Sequence, residues 1–589
     1  MEPRTGNREW ETMSDQIVLH NAATHRWLHF RNPHQVVIAR AIRDVLPALE
    51  QIEKWVNENR WYAAGFVNYE ASSAFDPAIV TREPGDFPLL WFGLFSSPDE
   101  IDLQFPDYSA YELGEPVPSV NPAEYRQAIQ YIKDYIQSGD TYQVNYTLRL
   151  EMPFSGDAWH LFLAMVRAQS PGYAAWVDTG RYAVCSASPE LFFCLQGGAL
   201  TCKPMKGTVK RGRTQKEDVE FSEWLHLSEK NRAENLMIVD MVRNDLGRIA
   251  QIGSVNVPRL FEVERHPTLW QMTSTVTAEC GKSVTEIFQS LFPCASITGA
   301  PKVRTTEIIA ELETTPRGVY TGCIGFISPE RFAQFNVAIR TAVVDKGTLT
   351  AEYGSGGGIV WDSASEDEYT ELLLKARVLT EKRPEFSLLE TILWTPEDGY
   401  FLLDYHLNRL IESADYFGFA AQDAEIRRKL LNVEGSFEKG SYRVRLLVNA
   451  TGDPRIEVSR LPEIPAQTVR IQIAHEPVQT SDLFLYHKTT HRAAYEKAIQ
   501  SCPGCEDVLL WNERGEITES SIANVVVEIE GELITPPVHS GLLAGTFRAS
   551  LLEQGKIREQ VVWIDDLSRC SKIYLINSVR RWREAVISP

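Results

Sequence analysis

The chain has 589 residues, more than one hydrophobic core ordinarily organises, so two or three domains are expected. Its 59 Lys and Arg stand against 79 Asp and Glu, a formal net charge of -20; this argues against a nucleic-acid or anionic-membrane partner, because either needs basic patches. No stretch is apolar for long enough to span a bilayer, and the polar start Met1 to Asp15 holds no apolar run of a secretory signal.

In chain order, strand-like runs come first at Tyr182 to Cys185 and Leu191 to Leu195. Glu190 lies just before the second, in Ser186-Ala-Ser-Pro-Glu-Leu-Phe192. A carboxyl among Pro, Leu and Phe reads as a general acid if desolvation raises its pKa, or as an ordinary carboxylate, and spacing alone does not choose. Lys203-Pro-Met-Lys-Gly-Thr208 reads as a basic turn, in which Lys206 is either a desolvated nucleophile or an exposed turn lysine. A helix is expected over Ala233 to Arg243 with Glu234 at its head, and another over Val303 to Leu312. After a strand at Thr348 to Tyr353 comes Tyr353-Gly-Ser-Gly-Gly-Gly-Ile359, a run that suits backbone approach to an anion or a plain flexible loop. The helix Glu366 to Thr380 puts Glu368, Glu371 and Lys375 on one face. Glu368 and Glu371, with Glu234, read as oxygen ligands for a hard cation such as magnesium, or as a solvated face with a Glu–Lys pair.

The charged, proline-containing Glu381-Lys-Arg-Pro-Glu385 marks a linker between a first domain, 1–380, and a second, 386–589. The second mixes strands (Phe386 to Trp394, Tyr442 to Val448, Val469 to Ile473, Asn524 to Ile529) with helices (Leu407 to Tyr416, Phe547 to Glu553). The fold class is α+β in both, with large antiparallel sheets and flanking helices in the first. Lys488, between a strand and a helix, and Glu519 read either as surface residues or as the anchoring lysine and ring-nitrogen partner of a pyridoxal-phosphate site. Arg409, and the turn Gly541-Leu-Leu-Ala-Gly-Thr-Phe-Arg548 that opens a helix, suit its phosphate. Arg443 and Arg445 share one strand face and suit a substrate carboxylate. Nine scattered cysteines read as reduced thiols of a cytoplasmic protein, and Cys502-Pro-Gly-Cys505 as a loop turn with no second ligand pair for zinc.

The first region resembles the chorismate-utilising enzymes. The motifs that carry this are Ala233-Glu-Asn-Leu-Met-Ile-Val-Asp240, Arg243-Asn-Asp-Leu-Gly247, Phe292-Pro-Cys-Ala-Ser-Ile-Thr-Gly-Ala-Pro-Lys302, Arg317-Gly-Val-Tyr-Thr-Gly322 and Phe335-Asn-Val-Ala-Ile-Arg-Thr341. The resemblance implies that Glu234, Glu368 and Glu371 hold magnesium, which holds the ring carboxylate of chorismate. It implies that Tyr320, Arg340, Lys375, Gly356 and Gly357 grip the substrate's carboxylates, and that Thr298 and Gly299 line the pocket. Gln143 matches the ammonia-using branch, and Lys206 the members that aminate C4. There Lys206 attacks C2, Glu190 protonates the departing C4 hydroxyl, and ammonia then adds at C4. Relatives often place a histidine where Gln271 stands, and glutamine cannot shuttle a proton near neutral pH. No cysteine has the setting of a glutaminase nucleophile, so the expected ammonia source is a separate glutamine amidotransferase subunit.

The second region resembles the fold-type IV pyridoxal-phosphate enzymes, through His406-Leu-Asn-Arg-Leu410, the Lys488 segment, Thr518-Glu-Ser-Ser521 and Asn577-Ser-Val-Arg580. The resemblance implies Lys488 as Schiff-base lysine and proton shuttle, Glu519 on the ring nitrogen, and Arg409 and Thr546 on the phosphate. It favours a lyase that removes pyruvate from the aminated product to give 4-aminobenzoate, and it suggests a homodimer formed through this domain. The alternatives are an anthranilate-type synthase fused to an aminotransferase, and a non-catalytic chorismate sensor.

Overall fold

The computed structural model describes residues 15–103, 105, 110–376, 379, 384–462 and 468–588. The chain divides into two compact units, residues 1–210 with 222–383, and residues 211–221 with 384–589. The α+β expectation holds for both. Residues 380–383, which carry the expected helix end and part of the expected linker, lie outside the described residues.

In the first unit two large sheets dominate, of eleven and ten strands. The strand Gln143–Gly156 pairs antiparallel with all ten residues of Thr350–Ile359. Its alternation is informative. Val144, Tyr146, Leu148 and Leu150 enter an apolar core. Gln143, Asn145, Thr147 and Arg149, on the opposite face, are buried as well. A strand that buries polar side chains on one face needs partners for them.

The ten-stranded sheet carries Leu191–Gln196, Met205–Lys210 and Leu269–Glu279. Lys206 therefore lies on a strand and not in a turn. The pairing with Leu269–Glu279 slips between Met205 and Thr208, and Gly207 adopts φ +97° there. A bulge of this kind re-aims a side chain out of the regular ladder. The helix over Glu229–Gly247 begins four residues earlier than its apolar pattern suggested. Ser228 caps it by accepting from the Asn231 amide, so Glu234 sits in the second turn and not at the head. Ile238, Val239, Val242 and Leu246 form its buried stripe. The glycine run is part of the strand Thr350–Ile359, not a loop.

The second unit holds a four-stranded antiparallel sheet and an eight-stranded mixed sheet. Helix Leu403–Phe417 packs Leu407, Leu410 and Ala414 inward and ends at Gly418, whose φ of 74° only glycine adopts freely. Lys488 follows the short 3₁₀ turn Leu483–Leu485 rather than a strand. Residues 211–221, which sequence places inside the first region, are built into this unit. Arg211 forms a buried ion pair with Asp218 at 2.7 Å and donates to the Tyr416 carbonyl at 2.9 Å. Among the described residues no helix is long and apolar enough to cross a membrane.

Candidate active sites

In the first unit Glu190, Gln143 and Lys206 come together from three separate strands or strand ends. Glu190 is buried at the start of Leu191–Gln196, and burial pushes its carboxyl up to about 7. Its Oε1 accepts from the Ser296 hydroxyl at 2.5 Å and from the amide of Met205, next to Lys206, at 3.4 Å. Burial lowers the pKa of Lys206, with Glu234 opposing that and Lys375 adding to it. A Cβ placed on Gly358 would lie 2.1 Å from Gln143 Nε2 and 2.3 Å from Lys206 Nζ, so this glycine leaves the room in which the two side chains meet. Both polar atoms of the Gln143 amide are buried without a hydrogen-bond partner among the described residues. A buried amide left unmatched marks a place for a polar ligand.

Tyr320 is buried, with its ring against Gly354 and the Arg149 guanidinium 4.9 Å above it. Arg340 has φ 50°, a left-handed conformation that costs a non-glycine residue about 1–3 kcal/mol and tends to persist at functional sites. Its guanidinium donates to Gln169, and among the described residues no carboxylate pairs with it. That leaves a half-buried cation suited to an anionic ligand. Lys375 donates to the Gly356 carbonyl at 3.0 Å, and a Cβ on Gly357 would face Glu368 Oε2 at 3.3 Å. Gly299, at φ 140°, lets the backbone approach the Gln143 carbonyl, where a Cβ would sit at 2.0 Å. The Thr298 hydroxyl turns to the carbonyls of Cys294 and Ala295, so its contribution to the wall is backbone.

The carboxylates expected to bind a cation are not gathered as a ligand set. Among the described residues no three His, Cys, Asp or Glu side chains are placed to hold a metal. Glu371 is ion-paired with Lys375 at 2.9 Å, and Glu368 accepts from Ser363 at 2.7 Å. Gln271, the departure from the family pattern, has its own task. It donates to the Gly207 carbonyl at 2.7 Å and accepts from Thr208 at 3.0 Å, which pins the bulge beside Lys206. Asn235 adds a bond to the Lys206 carbonyl at 3.3 Å.

In the second unit a cavity of about 310 Å³ is lined by Arg409, Lys488, Glu519, Thr546, Arg443 and Arg445, among others. The Lys488 backbone is tied to the strand Leu388–Thr395 through Leu389, at 2.9 Å. Burial, with Arg409 nearby, lowers its ammonium to about 8. Glu519 accepts from Tyr495 Oη at 2.7 Å, the Leu543 amide at 3.1 Å and Asn524 Nδ2 at 3.1 Å. These fix the carboxyl's orientation but are neutral, and burial pushes it up to about 7. Among the described residues no ion pair to this carboxyl is formed, although Lys488 and Arg492 are near, and a protonated ring nitrogen would give it one, so the residues present fit pyridoxal phosphate. Arg409 is held by Glu390 through two bonds, at 2.8 and 2.6 Å, and donates to the Ala544 carbonyl at 3.0 Å. This fixes the guanidinium beside Thr546, the first residue of helix Thr546–Glu553. The supporting residues Ser296, Tyr495, Asn524 and Glu390 carried no spacing signal in the sequence.

Comparison with known proteins matches two separate segments of the chain to two families. Residues 106–381 match the chorismate binding enzyme family, and residues 387–586 match amino-transferase class IV. Aminodeoxychorismate synthase component 1 of Salmonella typhimurium is 41% identical over 250 residues, 42% of this chain and 55% of that protein. Anthranilate synthase component 1 of Aquifex aeolicus is 36% identical over 258 residues, 44% of this chain and 52% of that protein. The chain thus spans about half the length of these curated relatives. Among solved structures, anthranilate synthase component I from Streptococcus pneumoniae TIGR4 shares the fold, with a TM-score of 0.53, 24% identity, and coverage of 63% of this chain and 93% of that one.

Proposed function

We propose that this chain, which joins a chorismate-binding-enzyme segment to a class IV amino-transferase segment, makes 4-aminobenzoate from chorismate in two steps. The first unit would replace the C4 hydroxyl of chorismate by an amine, giving 4-amino-4-deoxychorismate and water. The second would split that product into 4-aminobenzoate and pyruvate. The observation that carries the reading is the buried meeting of Glu190, Lys206 and the unmatched Gln143 amide in one site.

Lys206, its pKa lowered by burial, spends more of its time as the neutral amine that attacks C2. Glu190, whose carboxyl burial raises to about 7 so that a substantial share keeps its proton near neutral pH, gives that proton to the departing C4 hydroxyl, which leaves as water. Ammonia, held by Gln143, adds at C4 and loses a proton, and Lys206 departs from C2. Arg340 and Tyr320 hold the carboxylates of chorismate through this exchange, and Lys375 with the Gly356 and Gly357 backbone completes the grip. A magnesium ion on Glu234, Glu368 and Glu371 belongs to the same proposal. It requires Glu371 to leave Lys375, and no step here runs through it.

In the second unit pyridoxal phosphate, when bound, would supply the electron sink for breaking the C3–O bond. Lys488 would anchor it and then, as the neutral amine, take the proton from C4, a form made accessible because burial lowers its ammonium to about 8. Glu519 keeps the ring nitrogen protonated, and Arg409 and Thr546 hold the phosphate. Arg443 and Arg445 receive the substrate's carboxylate. A separate amidotransferase as ammonia source, a homodimer through the second region and a cytoplasmic site complete the proposal; nine free cysteines support a reducing compartment. The test uses two variants of the full chain. Lys488→Ala is expected to accumulate 4-amino-4-deoxychorismate. Lys206→Ala is expected to lose both the product and a covalent substrate adduct seen by intact-mass spectrometry in the unaltered chain. Unimpaired amination by Lys206→Ala would overturn the assignment.

A further inference from the structure

We infer that Ser296 is a positioning residue for the acid Glu190, holding one carboxyl oxygen as an acceptor so that the transferable proton is carried on the other. This rests on Glu190 being the acid of the proposed amination. Ser296 lies in the 3₁₀ turn Ala295–Ile297 and is buried. A serine hydroxyl has a single hydrogen, and this one is directed to Glu190 Oε1 at 2.5 Å. The Met205 amide reaches the same oxygen at 3.4 Å. Oε1 is thereby committed to accepting, and Oε2 is left as the oxygen that bears the proton of the neutral acid. The hydroxyl oxygen of Ser296 is in turn 3.2 Å from Cys294 Sγ. Burial keeps that thiol at about 12, so it stays protonated and available as a donor to Ser296.

The arrangement matters most after proton transfer. When Oε2 gives its proton to the C4 hydroxyl and water leaves, Glu190 becomes a carboxylate in a place that water does not reach. The Ser296 hydroxyl and the Met205 amide are already aimed at it, so the new charge meets two donors without rearrangement. The charged or titratable groups facing Glu190 are Lys206, on the strand Met205–Lys210, and Cys294, before the turn. Neither makes a hydrogen bond to the carboxyl among the described residues. Ser296 is the side chain that does, and it opposes the rise that burial causes.

The experiment measures the amination rate of the full chain against pH, with chorismate and ammonium in excess of KM. It compares the unaltered protein with Ser296→Ala, Ser296→Thr and Glu190→Gln. Ser296→Ala is expected to move the alkaline limb up by about one pH unit and to lower kcat ~10- to 100-fold, with KM for chorismate changed less than about twofold. Ser296→Thr, which keeps the hydroxyl, is expected to return the limb to its original position. Lyase turnover of added 4-amino-4-deoxychorismate reports that each variant is folded. An alkaline limb that stays in place in Ser296→Ala overturns the inference, provided that Glu190→Gln is impaired. A fully active Glu190→Gln instead overturns the acid role itself. If Ser296→Ala fails to fold, Ser296→Cys replaces it, with the same upward shift expected and an unmoved limb again decisive.

Discussion

Glu190 shows what a site residue costs and does. Its folded pKa of about 7 lies above the usual carboxyl value, so the neutral form is favoured in the folded state. The stability tied to that proton is fully present below the unfolded pKa and is lost as pH rises through about 7. Glu190→Gln, neutral at every pH, is therefore expected to melt higher than the unaltered chain at pH 8. The gap should close toward pH 4.5, as followed by thermal unfolding. The same substitution is expected to lower amination by ~10²- to 10⁴-fold, measured as kcat. An equal gap at both pH values would mean that the carboxyl is not neutralised by burial. At this scale the sequence singles out Glu190, Lys206, Lys488 and Glu519 only through motif resemblance, since spacing leaves each open to a bland reading. Ser296 stands in the motif Phe292 to Lys302, but its partner was illegible because the contact with Glu190 spans 106 residues of chain. Tyr495, 24 residues before Glu519, escaped for the same reason.

The strand Thr350–Ile359 shows how an element misleads when read alone. Its glycines suggest a loop around an anion, yet they lie in a ten-residue strand paired along its whole length. Their missing side chains make room: Gly354 for the Tyr320 ring, Gly358 for Gln143 and Lys206. Gly358→Ala is accordingly expected to lower amination by roughly 100-fold, because displacing reacting groups by about 1 Å costs that much. Lyase turnover by the same variant is expected to be unchanged. Amination near the original rate would show that the two side chains do not need that space. Helices were more legible than this strand, because their buried stripes repeat with the helical period, as at Ile238, Val239 and Val242. Their ends were less so. The Ser228 cap lies outside the apolar pattern, and it moved Glu234 into the second turn.

For the whole molecule the account requires two catalytic units with separable chemistry. The α+β class was readable from periodicity. The placement of residues 211–221 in the second unit was not, because the Arg211–Asp218 pair and the Tyr416 bonds that fix them are tertiary. The chain alone is expected to use ammonium and not glutamine as nitrogen donor, as measured by product formed with each. Glutamine-dependent turnover by the purified chain would contradict the need for a separate amidotransferase. The most direct test of the central claim is product identity. The full chain would be given chorismate, ammonium, magnesium and pyridoxal phosphate, and its products resolved by mass-resolved chromatography. The account predicts 4-aminobenzoate and pyruvate in equal amounts, whereas 2-aminobenzoate as the aromatic product would contradict it.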